Sequence, residues 1–396
     1  MRARLRFGAW FGGQLPLSAL FGSFLFTVFA FLFVLTVVIF IHELGHFLVA
    51  RWCGVKVAAF SIGFGKELWA FVDRHGTRWR VAALPLGGYV RFSDDENGAS
   101  MPDREALDRM SPEERQGSFH AKPVWQRAAI VAAGPIANFL LAIVILFGVF
   151  LVAGERVISP RIEAVVADTP AAEAGFKAGD IILTINGQAI ESFSDLRRFA
   201  STNAGEPLRF TVDRGGVVVP LTATPKLTEV PDGFGGKIRV GQLGLRGPST
   251  ATDWQQKSYG PVEAMSRAVG ESWSFAEQTW TYIARVLTRK ESGDQIGGPA
   301  RIADASGKMA SAGIVPLLHF IAFISVSIGL ANLLPIPLLD GGHLLFYAIE
   351  AVRGYPLTQK TQEFAFRLGL GVVIFLFIYA NWNDRVVFKQ WLGMGS

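Results

Sequence analysis

Residues 29–46 read FAFLFVLTVVIFIHELGH, an apolar run that ends in two histidines flanking a glutamate. No charged side chain occurs between Phe7 and Ile41. Roughly 20 apolar residues of helix cross the hydrocarbon core of a bilayer, so this run predicts a first membrane span. A cleaved signal peptide is disfavoured, because this run is longer than the apolar region of a signal peptide and no small-residue cleavage site follows it. We therefore expect residues 1–52 to form a membrane segment that carries the histidine motif.

Three further apolar stretches lie later in the 396-residue chain, which is half hydrophobic and only 18% charged. Soluble domains have about 25% charged residues. Residues 128–154 have no charged side chain, 314–339 have His319 as their one ionisable group, and 364–382 are interrupted by Arg367. The chain is thus predicted to be an α-helical membrane protein with about four spans, in contact with a lipid bilayer. Its net charge of +5 fits basic flanks of membrane spans, and we expect no nucleic-acid partner.

Two segments between the first two spans have the composition of β-strands. Residues 55–64 and 78–92 are rich in β-branched and aromatic side chains and are interrupted by glycines. They predict a membrane-associated β-hairpin within residues 53–123. The rest of that region is polar and of mixed charge, and we expect a loop with a short helix near Asp103–Met110.

The region after the second span predicts a soluble β-rich domain. Asn186-Gly187 is a strong hairpin signal between apolar runs, and Phe193–Ala200 has the pattern of an amphipathic helix. We expect this domain to be inserted between the second and third spans. The predicted segments are 1–52, 53–123, 124–157 (second span), 158–226 (inserted domain), 227–312 (connection with an amphipathic helix over 263–287), 313–352 (third span) and 353–396 (fourth span).

The motif His42-Glu43-Leu44-Gly45-His46 predicts a zinc site. Residues four apart lie on one face of a helix, so two imidazoles can bind one Zn²⁺ ion. Glu43, one step around the helix, can take a proton from the attacking water. Ionisable groups at the end of an apolar span are costly unless a metal or partner satisfies them. The alternative is a helix end in the headgroup region, where polar side chains cost little.

A catalytic zinc site needs a third protein ligand and one open position. Residues 332–343 read NLLPIPLLDGGH, and the two prolines are expected to stop a membrane helix. Asp340 then lies at membrane depth beside two glycines, where a carboxylate indicates a functional site. His343 is three residues further on, so from spacing alone both side chains remain candidates. His319 is expected to hydrogen-bond to a neighbour rather than bind a metal, and His75 and His120, which lie in polar stretches, are expected to have no catalytic role.

Three motifs together resemble the site-2 protease family of intramembrane zinc metalloproteases. They are the HELGH motif in the first span, GPIAN at 134–138 in the second and NLLPIPLLDGG at 332–342 in the third. The likeness extends over nearly the whole chain and is greatest to the bacterial RseP branch, in which residues 158–226 resemble a PDZ domain. It implies that His42, His46 and Asp340 are the zinc ligands, Glu43 the general base and Asn332 a substrate contact. The motif at 134–138 is expected to help helices pack closely.

The same resemblance implies how a substrate is presented. The strand pair resembles a re-entrant β-hairpin whose edge binds an unwound substrate strand. The expected substrate-binding residues of this hairpin are Gly63, Phe64, Gly65, Gly87 and Gly88. Lys66 stands where the family often has proline, and no carboxylate-binding loop precedes Arg161.

By resemblance, the enzyme belongs to a bacterial inner membrane, with the PDZ domain on the periplasmic side. Its substrates are expected to be single-span membrane proteins, such as anti-sigma factors cut first outside the membrane or remnant signal peptides. Members of the branch often carry two PDZ domains, whereas one is evident here. Two other classes of protein fit parts of the pattern: a membrane-anchored PDZ scaffold with a structural zinc, and a metal transporter. The absence of an inverted repeat disfavours the transporter.

Overall fold

The computed structural model describes residues 17–94, 110–231, 237–248, 254–288, 293, 296–385 and 387. Within these, four helices are long and apolar enough to cross a membrane. Their bounds are Phe24–Trp52, Val124–Val152, Ile314–Asn332 and Gln359–Asn383. The four predicted spans are therefore confirmed. The short helix predicted near Asp103–Met110 falls almost wholly outside the described residues.

The elements alternate between membrane helices and two β-rich insertions. The first part of the chain comprises α1 (Leu17–Trp52), β1 (Val57–Val72), β2 (Arg78–Phe92), α2 (Pro112–Gly117) and α3 (Val124–Val152). The inserted domain comprises β3 (Glu155–Ile158), β4 (Ala164–Val165), α4 (Pro170–Glu173), β5 (Ile181–Ile185), β6 (Gln188–Ala189), α5 (Phe193–Thr202), β7 (Leu208–Arg214), β8 (Val217–Ala223), β9 (Lys226–Pro231), β10 (Lys237–Gln242), β11 (Leu245–Arg246) and β12 (Trp254–Lys257). The last part comprises α6 (Pro261–Leu287), α7 (Pro299–Ala312), α8 (Ile314–Asn332), α9 (Asp340–Arg353) and α10 (Gln359–Asn383).

Helix α3 is the central helix of the bundle, in contact with α1, α6, α8 and α9. Small residues allow the close approach. A side chain at Gly45 of α1 would overlap the backbone of Ala133, and one at Gly329 of α8 would lie 3.2 Å from both Asn138 Cβ and the Pro135 carbonyl oxygen. Without a hydrophobic force between helices in lipid, such close packing supplies much of the association.

Strands β1 and β2 curl back on themselves to form one sheet, which packs against α1. The register pairs residues 57–62 with 88–92 on one side and 59–62 with 78–81 on the other, while 67–72 pair with 78–82. The sheet therefore has two edges, 88–92 and 67–72. Its first strand was predicted to end at Phe64 but continues to Val72. The reason is that the positive φ angles of Gly63 (88°) and Gly65 (84°) bend the chain without ending the ladder.

The inserted domain has a four-stranded sheet with the order β6-β5-β7-β8. Apolar side chains from this sheet and from α5 form its core, including Ile182, Phe210 and Leu196. Arg214 donates two hydrogen bonds of 2.8 Å to the fully buried carboxylate of Asp180, and this lowers the pKa of Asp180 below its usual range. A buried charge of this kind is tolerated because it is paired.

The predicted end of this domain at residue 226 is too early. Leu243 is buried in its core, and β11 pairs with β4, so residues beyond 226 complete the fold. The closing strands are short and glycine-rich, and such strands show no clear period-two alternation. A two-stranded ribbon of β3 and β12 joins the domain to the spans, with Ile158 opposite Trp254.

The third predicted segment, 313–352, contains α8 and α9, and the helix stop predicted at its two prolines is confirmed. Pro335 and Pro337 cannot continue a helix, so the chain turns over residues 333–339 and restarts at Asp340. Helix α9 is joined to α3 by a largely buried ion pair, in which Arg127 lies 2.6 Å from Glu350.

Candidate metal centre

The two histidines of the first motif project from the same face of α1. His42 and His46 are one helical turn apart, and their Nε2 atoms are separated by 3.2 Å. Their rings are almost perpendicular, at 86°, and His42 is only 8% exposed. Helix α1 continues for ten residues beyond His42 and six beyond His46, to Trp52, or about 15 and 9 Å along the axis. The pair thus lies inside the bundle rather than at the helix end.

Asp340 reaches this pair because the chain folds back on itself after α8. Leu338 has a positive φ of 93°, and α9 begins directly at Asp340. A side chain at Gly341 would overlap the carbonyl groups of Leu333 and Leu334, and one at Gly342 would overlap that of Ile336. The two glycines therefore let the start of α9 pack onto the turn that precedes it.

The three side chains have the spacing of a zinc site. Asp340 Oδ2 lies 3.2 Å from His42 Nε2 and 3.5 Å from His46 Nε2. Ligand atoms about 2.0–2.1 Å from zinc in a tetrahedron lie about 3.3 Å from one another. Asp340 Oδ2 is buried without a hydrogen bond of its own, as suits an atom that faces a cation. The residues present therefore fit zinc with three protein ligands and one open position.

The structure distinguishes between the two candidates for the third ligand. Among the described residues, the group that can hold a metal consists of His42, His46 and Asp340. His343 instead packs beside the Phe366 ring, with ring centroids 5.5 Å apart. Cys53 is also outside the group and lies against an apolar cluster, so the four closed ligands of a structural zinc site are not present in the described chain.

The remaining histidines lie outside this group. The imidazole of His319 hydrogen-bonds through Nδ1 to the Val315 carbonyl, 3.0 Å away. His75 is exposed, and His120 packs edge-on against Phe119. His319 thus has the hydrogen bond to a neighbouring residue that the sequence predicted.

Helix α3 orients both imidazoles, a role that the sequence did not predict. The Ile130 carbonyl is 2.9 Å from His46 Nδ1, and Asn138 Nδ2 is 3.2 Å from His42 Nδ1. A side chain at Gly134 would overlap both rings. The motif at 134–138 was expected to serve helix packing, and it also makes room for and contacts the histidines. The signal that could have shown this was an asparagine in an otherwise apolar span.

Glu43 lies between the histidines and the edge of the sheet. A side chain at Gly88 would be 3.1 Å from Glu43 Cγ, and the Val90 backbone N–H interacts with the Glu43 carboxylate. The carboxylate is thus beside the candidate metal ligands on one side and the 88–92 edge on the other. A group in this position can exchange protons with a reacting amide.

The predicted substrate-binding residues of the hairpin fall into one neighbourhood. The Phe64 ring covers Gly87, where a side chain would overlap it, and it stacks on Tyr89 at 6.1 Å. Gly63 packs on the Leu84 carbonyl. Asn332 is the last residue of α8 and is half-buried. Contact of these residues with a substrate stays a prediction.

We expect Asp340→Asn to weaken zinc binding, since a neutral amide is a poor zinc ligand. His343→Ala is the matched control, because His343 is three residues away on the same helix and packs among aromatic rings. Zinc content of the two purified variants after dialysis against a chelator measures the difference. Retention by Asp340→Asn together with loss by His343→Ala would reverse the assignment.

The comparisons with known proteins agree with this geometry. The profile of Peptidase family M50 matches residues 30–376. A provisionally named zinc metalloprotease of Rhizobium meliloti is 45% identical over 93% of this chain and 98% of its own length. Metalloprotease MmpA of Caulobacter vibrioides is 43% identical over 91% of this chain and 96% of its own length.

A solved PDZ domain of an SdrC-like protein from Listeria monocytogenes matches 22% of this chain and 84% of its own length. Its TM-score is 0.18 and its identity 23%, a likeness too distant to assign the inserted domain. The family assignment depends instead on the profile and the full-length relatives. From these and the four apolar helices, the chain belongs to peptidase family M50, the site-2 protease family, and is a membrane zinc metalloprotease.

Proposed function

We propose that this protease cuts single-span membrane proteins within or beside their membrane-spanning segments. The observation that carries the proposal is the position of Glu43, among the spans and against the sheet edge 88–92. A metal centre on the protein surface would accept soluble peptides. A centre about 9–15 Å from the end of a membrane helix favours substrates that are themselves in the bilayer.

The proposed roles follow from the donor set. His42, His46 and Asp340 hold the zinc, which when bound supplies a Lewis acid for the scissile carbonyl. Glu43 takes the proton of the attacking water and delivers it to the leaving amine. Asn332, at the end of α8, is proposed to contact the substrate near its scissile bond. Burial of these groups between α1, α3 and α9 limits the access of bulk water.

The edge of the sheet is proposed to bind the substrate as an added strand. A helix hides its amide bonds, so a membrane segment must unwind before it can be attacked. Its freed backbone groups then need partners inside the bilayer, and a sheet edge provides them. Among the described residues, 88–92 pair on one side only, with 57–62. A strand added there passes Glu43, with Phe64, Gly87 and Gly88 beside it.

The inserted domain is proposed to be of the PDZ type, on the periplasmic side of a bacterial inner membrane, where it limits which substrates enter. Strand β10 and the residue after β11 pack directly on α5: a side chain at Gly241 of β10 would overlap the Ala200 carbonyl, and one at Gly247 would overlap the Phe193 ring. This supports a filter against bulky substrates over a peptide-binding role. Anti-sigma factors already trimmed outside, and remnant signal peptides, would pass such a filter.

Glu43→Gln is expected to keep zinc but lose cleavage by about a hundredfold or more, because the amide cannot accept a proton. The matched control is Glu277→Gln on the exposed side of α6. Both variants are assayed for zinc content and for cutting of a single-span substrate. Near-normal turnover by a folded, zinc-loaded Glu43→Gln protein would disprove the proposed role of Glu43.

Cleavage should depend on how easily the substrate helix unwinds. Two glycines placed at the scissile bond weaken the helix by about 2 kcal/mol in total, so the rate is expected to rise several-fold. The same glycine pair two turns away is the control, and a leucine-rich replacement at the bond should slow cleavage. Equal rates for all three substrates would count against binding as an added strand.

Removal of the inserted domain should widen the substrate range. Because Ile158 pairs with Trp254, residues 159–253 can be replaced by Asn-Gly, which closes the β3–β12 ribbon as a two-residue hairpin. This variant is expected to cut an untrimmed substrate that the full-length enzyme leaves intact. Both enzymes are tested on trimmed and untrimmed forms of one substrate. Loss of cleavage of the trimmed form, with zinc content unchanged, would mean that the domain delivers substrates.

A further inference from the structure

Asn138 is a fully buried polar side chain in the middle of a membrane helix. Its Nδ2 is 3.2 Å from His42 Nδ1, and its Oδ1 is buried without a hydrogen-bond partner. A buried amide oxygen left unpaired is costly. The Asn138 amide oxygen therefore needs a hydrogen-bond donor, and the amide lies directly beside a histidine of the metal centre.

The tautomer of His42 determines whether the imidazole needs the oxygen or the nitrogen of the Asn138 amide as its hydrogen-bond partner. The Nε2 atom faces Asp340 and His46 and is the atom that would bind the metal. A nitrogen that gives its lone pair to a metal carries no proton, so the proton of the neutral ring is on Nδ1. Nδ1 then donates a hydrogen bond and requires an acceptor.

The Asn138 amide can supply that acceptor by a half-turn about its last side-chain bond. Its oxygen and nitrogen are nearly equal in size, and their assignment follows from the hydrogen-bond network. With Oδ1 toward His42, the unpaired oxygen accepts the Nδ1 proton, and the amide nitrogen takes the position that the oxygen leaves.

His46 shows the same arrangement in a form that has no ambiguity. Its Nδ1 lies 2.9 Å from the Ile130 carbonyl oxygen, which can only accept. The proton of neutral His46 is therefore on Nδ1 and its lone pair is on Nε2, toward the metal centre. Both Nδ1 atoms thus face α3, and Asn138 occupies for His42 the position that Ile130 occupies for His46.

The backbone of Asn138 is held in place by a contact with α8. Ser325 of α8 is fully buried and donates a 2.8 Å hydrogen bond to the Asn138 carbonyl. Gly329 leaves room for the Asn138 side chain between α3 and α8. Helix α8 therefore fixes the position of the residue that faces His42.

We propose that Asn138 is a positioning residue for zinc, whose amide oxygen accepts the Nδ1 proton of His42 and so directs the Nε2 lone pair toward the metal. This inference rests on the proposed ligand set but not on the substrate or the cleavage mechanism. Outer partners of this kind change metal affinity by about 10–100-fold when they are removed.

The experiment measures zinc affinity of the full-length protein in detergent by competition with a chromogenic chelator. Asn138→Leu keeps the branched shape and removes the acceptor, and we expect zinc affinity to fall by roughly 10–100-fold. Asn138→Asp restores an acceptor for the Nδ1 proton, and its affinity should stay within a few-fold of the unaltered protein. Ser325→Ala keeps the amide but removes the hydrogen bond to the Asn138 carbonyl, so its loss of zinc affinity should be smaller than that of Asn138→Leu.

Two outcomes would overturn the inference: unaltered affinity in Asn138→Leu, or an equal loss in Asn138→Asp. His42→Ala serves as a reference. If His42→Ala binds zinc normally, the ligand set itself is wrong, whereas a loss there without a loss in Asn138→Leu disproves only the role of Asn138. Circular dichroism verifies folding, and Asn138→Ala replaces the leucine variant if that variant does not fold.

Discussion

The constraint on which the rest of the structure depends is the cost of ionisable groups inside an apolar bundle. His42, Glu43, His46 and Asp340 lie among helices whose buried side chains are mostly apolar. Such groups are stable there only when they are paired or bind a cation. The structure meets this cost by concentrating them at one point, where two imidazoles and a carboxylate converge at 3.2–3.5 Å. A single zinc ion satisfies all three ligands.

That convergence determines how the helices pack. Glycines stand wherever α1, α3 and α9 approach the centre, at positions 45, 134, 341 and 342, and a side chain at each would overlap backbone or an imidazole. Helix α3 holds none of the candidate ligands but contacts both histidines, through Ile130 and Asn138. The Arg127–Glu350 pair joins α3 to α9, the helix that begins with Asp340. The metal centre is thus assembled around a helix that contributes only orientation and space.

A second consequence concerns backbone groups inside the membrane. The proline-rich turn at 333–339 and the curled β1–β2 sheet are non-helical chain next to the spans. Such chain is tolerated where it is buried in protein or lines a cavity. Here the sheet borders Glu43, so backbone that is not helical lies where a substrate strand would need partners. The β3–β12 ribbon and the ion pair between Arg267 and Glu155 hold the inserted domain over the opposite end of α3.

The sequence by itself determined the elements that depend on local pattern. Apolar runs predicted the four spans, and β-branched residues predicted the strands of the hairpin. The four-residue spacing of His42 and His46 predicted that both would lie on one helix face. These features follow from helix and strand periodicity, which is a property of neighbouring residues.

Tertiary structure decided what joins distant parts of the chain. The choice of Asp340 over His343 required the fold-back of α9, because both residues lie in the first turn of that helix. Asn138 contacts His42 although the two residues are 96 positions apart in the sequence. Leu243 packs in the core of the inserted domain, but it lies next to short strands whose apolar and polar residues do not clearly alternate. Local periodicity shows which face a residue occupies on its own element. Which element that face meets is decided only when the bundle packs, because close packing admits few of the possible partners.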